Sequence, residues 1–261
     1  MSNVPTRVEL LGVPVDAMTL SQFMAVISSA VDEKRPTTIL NVNVHGLALA
    51  HQDPGFRSTF ELADVVFVDG MLIVSLAKLL GLPVRSEHRL AVLDWIWPLF
   101  AHAASDDWHI VHLGSTDQVL AQAAQVIKER IPDLRLTLIP GYFDATRGSD
   151  GNAAVLQQIC SSPPDVLLVG MGMPRQEEWV ADNLAALPPC VVITVGGILG
   201  FLGGERRIPP RWLGRLRLEW AFRLVTEPQR LWRRYLIEPV VLLRPLSVDL
   251  RRRYGLRRDR A

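Results

Sequence analysis

Apolar positions in this chain come in short blocks rather than in strict alternation. The runs TTILNV, DVVFV, WHIVHLG, DVLLV and CVVIT are apolar on mostly successive residues, the pattern of strands covered on both faces, while LRLTLI alternates apolar and polar residues and reads as a further strand. Between them, apolar residues recur three and four apart, most clearly from about Thr116 to Arg130, which predicts an amphipathic helix there. Strands alternating with helices predict an α/β fold: a Rossmann-like, mostly parallel sheet flanked by helices. Sheets of this kind bind their ligands outside the carboxyl ends of the strands.

The junctions after those strands therefore carry the candidate chemistry. In DVLLVGMGMPRQEEWV, residues 165–180, the strand is expected over Asp165 to Val169. Gly170 and Gly172 let the chain bend, and Pro174 suits the first turn of a helix. Free N–H groups at that helix start favour phosphate oxygens, so the stretch reads as a nucleotide or sugar-phosphate site or as an ordinary strand-to-helix turn. It is not the dinucleotide fingerprint, because Arg175 stands where the third glycine would fall. Gln176 is a candidate ligand contact, whereas Glu177 and Glu178 are explained by the helix dipole. Gly114 and the pair Gly196 and Gly197 mark similar turns.

Asp69 follows VVFV directly, with Gly70 beside it. A carboxylate there can take a proton from a substrate hydroxyl, or it can cap the next helix. Asn41 and Asn43 flank Val42 and would share one face of a strand, where two amides can orient sugar hydroxyls; turn-forming asparagine is the competing account. His45 is a candidate ligand contact or a structural histidine.

The net charge of +1 conceals a polarised molecule. From Glu205 to the end there are 16 Arg, no Lys and 6 acids, so this segment carries +10 and the remainder −9. The break near Gly203-Gly204 divides the chain into an α/β body, residues 1–204, and an arginine-rich helical appendage, residues 205–261. Pro228 and Pro239 are expected to cut that appendage into short helices. Clustered arginines suit nucleic acid, an anionic membrane surface or a phosphorylated ligand. Aromatic residues interleave with them at Trp220, Phe222, Trp232 and Tyr235, which favours a bilayer or lipid ligand over nucleic acid. Arg223, Arg230 and Arg233 could fork onto a diphosphate. Two cysteines, Cys160 and Cys190, support neither a zinc cluster nor a disulfide framework, and a reducing cytosol is the expected home.

Two long motifs then carry a resemblance. GMGMPRQEEW and RLRLEWAFRLVTEPQRLWRRYL, with ADVVFVDGM and NVNVHGLALA in support, resemble the bacterial WecG/TagA/CpsF family of glycosyltransferases from about Val8 to Tyr235. The resemblance implies an inverting enzyme that moves a sugar from a UDP-sugar donor to a polyprenyl-diphosphate-linked sugar acceptor in cell-surface polysaccharide synthesis. It implies the catalytic residues Asp69 and Asn43, and a donor site at Asn41, Gly170, Gly172, Gln176, Gly196 and Gly197. It further implies lipid-diphosphate binding by Arg223, Arg230 and Arg233, with Arg89, Asp94 and His45 as acceptor candidates. No metal and no cofactor are implied. The expected location is cytoplasmic, peripheral on the inner face of the plasma membrane, with a homo-oligomer as a candidate assembly.

The chain departs from the family pattern at Asn41, where threonine is usual, and at Val92 and Arg217, where glycine is usual. An N-acetylmannosamine-type and a glucose-type donor therefore both stand. The rival readings are an NAD(P)-dependent oxidoreductase, disfavoured by the absent third glycine, and a nucleic-acid-binding protein using the basic end.

Overall fold

The computed structural model describes residues 5–210, 213 and 219–255, with the side chains of Glu219 and Arg230 outside the description. Its centre is one eight-stranded sheet: β1 (Thr6–Leu10), β2 (Val13–Ala17), β3 (Thr37–Val42), β4 (Val65–Val68), β5 (His109–Gly114), β6 (Arg135–Ile139), β7 (Val166–Gly170) and β8 (Val191–Thr194). The strand order is β1-β2-β4-β3-β8-β7-β5-β6, and every neighbouring pair is parallel except the β1–β2 hairpin at one edge. The six expected strands are present. The hairpin was not expected, because its first strand, TRVEL, is short and largely exposed and shows no buried run.

Among the described residues, the helices that connect or follow the strands are α1 (Leu20–Asp32), α2 (Val44–Gln52), α3 (Pro54–Glu61), α4 (Met71–Leu79), α5 (Val92–Ser105), α6 (Asp117–Arg130), α7 (Asp150–Ser161), α8 (Arg175–Asn183) and α9 (Ile198–Leu202). Their starts follow local chemistry. Thr19 caps α1 in a reciprocal box with Gln22, and the side chains of Thr116 and Ser149 cap α6 and α7. Alternate residues of each central strand supply opposite faces. Ile39, Phe67, Val166, Leu168 and Ile193 join one core layer, while Leu40, Val66, Val68, Leu167 and Val192 join the layers on the other face. That is why the strand sequences lack alternating polar positions.

The C-terminal part is helical: α10 (Glu219–Thr226), α11 (Pro228–Trp232), a π turn over Arg233–Ile237, α12 (Glu238–Val241) and α13 (Leu243–Tyr254). Pro228 and Pro239 sit in the first turns of α11 and α12, where a missing N–H costs nothing. The segment is not a loose tail over its described length. Leu231 and Leu242 are buried, Leu246 and Leu250 pack on the layer that covers β3 and β4, and the Tyr254 hydroxyl donates to the Leu79 carbonyl at 3.1 Å.

Gly170 is the last residue of β7 rather than part of the loop after it, so the strand runs one residue further than expected. A Cβ there would lie 2.6 Å from His112 Nε2 and 2.8 Å from the Gly196 carbonyl oxygen. Its smallness serves the packing of β7 against its neighbours. Gly170→Ala should destabilise the protein by about 1–3 kcal/mol, as other overpacked cores do; urea unfolding followed by circular dichroism measures this.

Candidate active site

Four adjacent strands, β4, β3, β8 and β7, end side by side, and their carboxyl ends bring together residues far apart in sequence. Asp69 comes from the end of β4, Asn41 and Asn43 from the end of β3, Thr194 and Gly196 from β8, and Gly172 and Gln176 from the turn after β7. Gly172 and Gly196 both have positive φ, +83° and +57°, and a Cβ on either would meet nothing within 4 Å. The turns therefore border open space.

Asn41 and Asn43 do not lie on one strand. β3 ends at Val42, and Asn43 caps α2, its Oδ1 accepting from the Gly46 N–H at 3.0 Å. Both still reach Asp69. The Thr194 hydroxyl accepts from the Asn41 backbone N–H at 3.1 Å and donates to Asn41 Oδ1 at 2.9 Å. That orients the amide so that Nδ2 donates to Asp69 Oδ2 at 3.4 Å. Asn43, with its oxygen engaged by the cap, also hydrogen-bonds the Asp69 carboxylate. Asp69 itself caps nothing: Gly70 is the cap position of α4.

Electrostatics at Asp69 are contested. Burial raises its pKa above the ordinary 3.8, against the pull of Arg223, Arg234 and Arg89 and the hydrogen bond from Asn43. Three guanidinium groups from separate parts of the chain thus face one carboxylate. Arg89 follows the short turn Ser86–His88 and is held by Asp94 at 2.9 Å, which places that acid behind the arginine. Arg223 lies over the Phe201 ring, 5.4 Å from its centroid. Its Nε is buried and has no hydrogen-bond partner among the described residues.

Arg234 was missed by sequence reading. Arg233 is exposed and lies over the Trp232 ring, 5.8 Å from its centroid, whereas Arg234 turns inward and influences Asp69, His45 and Glu177. Neighbouring residues on a helical turn cannot share a direction, and the π turn that begins at Arg233 resets the phase after α11. The side chain of Arg230 lies outside the described residues.

His45, in the first turn of α2, pairs through Nδ1 with Glu238 of α12. Burial is the main cause that lowers its pKa, with Arg234 adding and Glu238 opposing. The pair fastens the C-terminal helices to α2 beside the site. Gly197 stands against Arg206, whose Nη1 would lie 2.4 Å from an added Cβ.

Gln176 is 1% exposed and acts inside the protein. Its Oε1 accepts from the N–H groups of Gly172 and Gly196, each at 3.1 Å, tying the two turns together. Its Nε2 donates to Glu177 Oε1 at 2.7 Å. Glu177, expected only to complement the helix dipole, is fully buried, and its Oε2 lacks a partner among the described residues. Burial pushes its pKa up to about 8, so the side chain is held protonated at neutral pH.

A buried carboxylate set among cations at the mouth of a parallel sheet has the chemistry that group transfer involving phosphorylated compounds requires. The chain matches the model of the glycosyl transferase WecG/TagA/CpsF family over residues 8–255 and belongs to that family; it is a hexosyltransferase. It is 28% identical over 225 residues to an N-acetylglucosaminyldiphosphoundecaprenol N-acetyl-beta-D-mannosaminyltransferase of Bacillus spizizenii, covering 86% of this chain and 84% of the relative. A protein of the same description from Staphylococcus aureus is 25% identical over 231 residues, 87% of each chain.

Glu177 gives the site a measurable pH signature. Its folded pKa is raised, so its contribution to stability is complete below about 4.5, its ordinary value, and is lost as pH rises through about 8. Glu177→Gln keeps the acceptor for Gln176 and cannot ionise. The variant should match the parent Tm near pH 5 and exceed it at pH 9; parallel curves at both pH values would contradict this account.

Proposed function

We propose that this glycosyltransferase moves a sugar from a UDP-sugar to a polyprenyl-diphosphate-linked sugar acceptor with inversion at the anomeric carbon, in the synthesis of a cell-surface polysaccharide. The observation that carries the proposal is the meeting of Asp69 with Arg89, Arg223 and Arg234. Three half-buried cations beside one carboxylate suit substrates that carry diphosphate groups. The relatives' description, a diphosphoundecaprenol sugar and a mannosaminyl group, supports the same substrate class. It favours an acetamido-sugar donor. Asn41, standing in place of the family's usual threonine, keeps a glucose-type donor open, because it alters the donor group that faces Asp69.

In this mechanism Asp69 accepts the proton of the acceptor hydroxyl as that oxygen attacks the anomeric carbon. The bond from that carbon to the diphosphate oxygen breaks, and its electron pair leaves with UDP. Asn41 and Asn43 hold the carboxylate in place. The arginines stabilise charge growing on the departing diphosphate and hold the acceptor's own diphosphate. Burial that raises the Asp69 pKa makes it a stronger base, and Arg223, Arg234 and Arg89 oppose that rise. The turns at Gly172 and Gly196, fixed by Gln176, border the donor.

Residues 1–204 form the catalytic unit in this reading, and residues 205–261 approach the membrane that holds the acceptor. An exposed apolar ridge supports the second part: Trp232, Leu236, Val240 and Leu243 follow one another three or four residues apart and are 46–61% exposed. Among the described residues no helix is long and apolar enough to cross a membrane. In this reading the protein docks on the inner face of the cytoplasmic membrane through this ridge.

UDP release that requires both a UDP-sugar and a short-chain polyprenyl-diphosphate-sugar tests the reaction. Asp69→Asn should lower kcat by roughly 10²–10⁴ while leaving the circular dichroism spectrum unchanged. The parent's kcat/KM should fall on acidification with a midpoint above 3.8, and Arg223→Gln, which removes the largest opposing charge, should move that midpoint higher still. A midpoint unmoved by Arg223→Gln would remove that arginine from the electrostatic account. For docking, the double change W232S/L236S should abolish co-sedimentation with phosphatidylcholine vesicles.

A further inference from the structure

A second groove, of about 500 Å³, opens where the last helix crosses the β1–β2 hairpin. None of its lining residues belongs to the active site. It includes His51 at the carboxyl end of α2, about 9 Å along the helix from His45 at a rise of about 1.5 Å per residue. One wall carries His51 and Arg57; the other carries Arg244, Val248 and Arg252, which are successive turns of one face of α13.

Three cations share this space without an internal partner. The side chains of Arg57, Arg244 and Arg252 make no hydrogen bond or ion pair among the described residues, although Glu9 and Asp249 also line the groove. Arg244 and Arg252 are exposed and can be served by water, but Arg57 is only partly exposed. Its guanidinium group lies against the hairpin turn, where a Cβ on Gly12 would come within 2.7 Å of Nη2. The turn is thus bare where the cation sits. His51 adds a buried Nε2 that has no partner among the described residues. Like charges gathered around one space, one of them half withdrawn from water, are relieved by an anion that accepts several donors at once.

The groove also adjoins the apolar ridge. Val240 and Leu243, 59% and 61% exposed, flank Val241 and Arg244 of the groove, and Val248 in its wall is 40% exposed. A headgroup phosphate held between Arg57 and α13 would leave its acyl chains against those side chains. We infer that this groove binds the phosphate of an anionic phospholipid headgroup, clamped by Arg57, Arg244 and Arg252, and so sets which membrane the enzyme docks on and how it is turned there. The inference rests on the docking reading above.

Full-length protein is titrated with vesicles of phosphatidylcholine alone and with vesicles that include phosphatidylglycerol. R57Q and R244Q in the groove are compared with R253Q, which removes the same charge from an exposed α13 position that does not line it. Diffuse attraction is worth about 1 kcal/mol per arginine, roughly fivefold in affinity, wherever the arginine stands near the surface. A built site predicts that R57Q and R244Q each lose more than about tenfold of the phosphatidylglycerol gain, while R253Q stays within that fivefold. Binding to phosphatidylcholine and catalysis of a detergent-dispersed acceptor should be unchanged in all three. Equal losses in the three variants, or a full gain retained by R57Q, would overturn the site. R244Q decides the matter alone if R57Q fails to fold, since Arg244 is exposed on a helix surface.

The docking reading fails separately, by absence of parent binding to either vesicle. In that case inorganic phosphate is the probe. An Arg244-dependent rise in Tm supports a site for a free phosphate compound, and no rise overturns the site altogether.

Discussion

Asp69 is held between burial, which favours its neutral form, and three guanidinium groups, which favour its charged form. The rest of the molecule is arranged around that opposition. Burial raises the pKa of this carboxylate and the arginines pull it back down. The parallel sheet provides the burial, because β4 is flanked by β2 and β3 and covered on both faces before it releases Asp69 at its carboxyl end. The cations come from elsewhere, one from the segment before α5 and two from the C-terminal helices.

Delivery of those two cations depends on how the C-terminal helices are seated. Leu231 and Leu242 are buried, the Tyr254 hydroxyl bonds to the end of α4, and His45 pairs with Glu238. These contacts lie along the segment on either side of Arg234, so the guanidinium is placed by a frame rather than by a mobile loop. The same seating leaves one side of the segment apolar and exposed. An exposed apolar ridge and the inward-facing Arg234 thus belong to one set of short helices.

Inside the sheet's mouth, the glutamine of the PRQEEW stretch has a mechanical part. Gln176 ties the turn after β7 to the turn after β8, and Glu177 orients its amide while remaining protonated. Glycines at 172 and 196 keep the space in front of those turns open. The site thus has turns tied together by side-chain hydrogen bonds on one side and side-chain cations on the other.

Much of this was legible along the chain. The doubly apolar strand blocks revealed a covered parallel sheet, the glycine and proline positions marked its junctions, and the charge break at residue 204 marked the arginine-rich segment. Asp69, Asn43 and Arg223 could be chosen because strand ends and residue chemistry are local properties. The hairpin was hidden because an exposed edge strand carries no buried run. Glu177 was misread because helix-end charge and burial are indistinguishable when only the neighbours in sequence are known. Arg234, half-buried, acts on Asp69, whereas its neighbour Arg233 is exposed, a difference that adjacent positions on a helical turn do not reveal in the sequence. Sequence determined the layers, the ends of the strands and the kinds of groups available there, since these follow from short-range periodicity and backbone sterics. Only the tertiary structure decided which cations meet which carboxylate and which acid is buried, because those depend on contacts between segments well over a hundred residues apart.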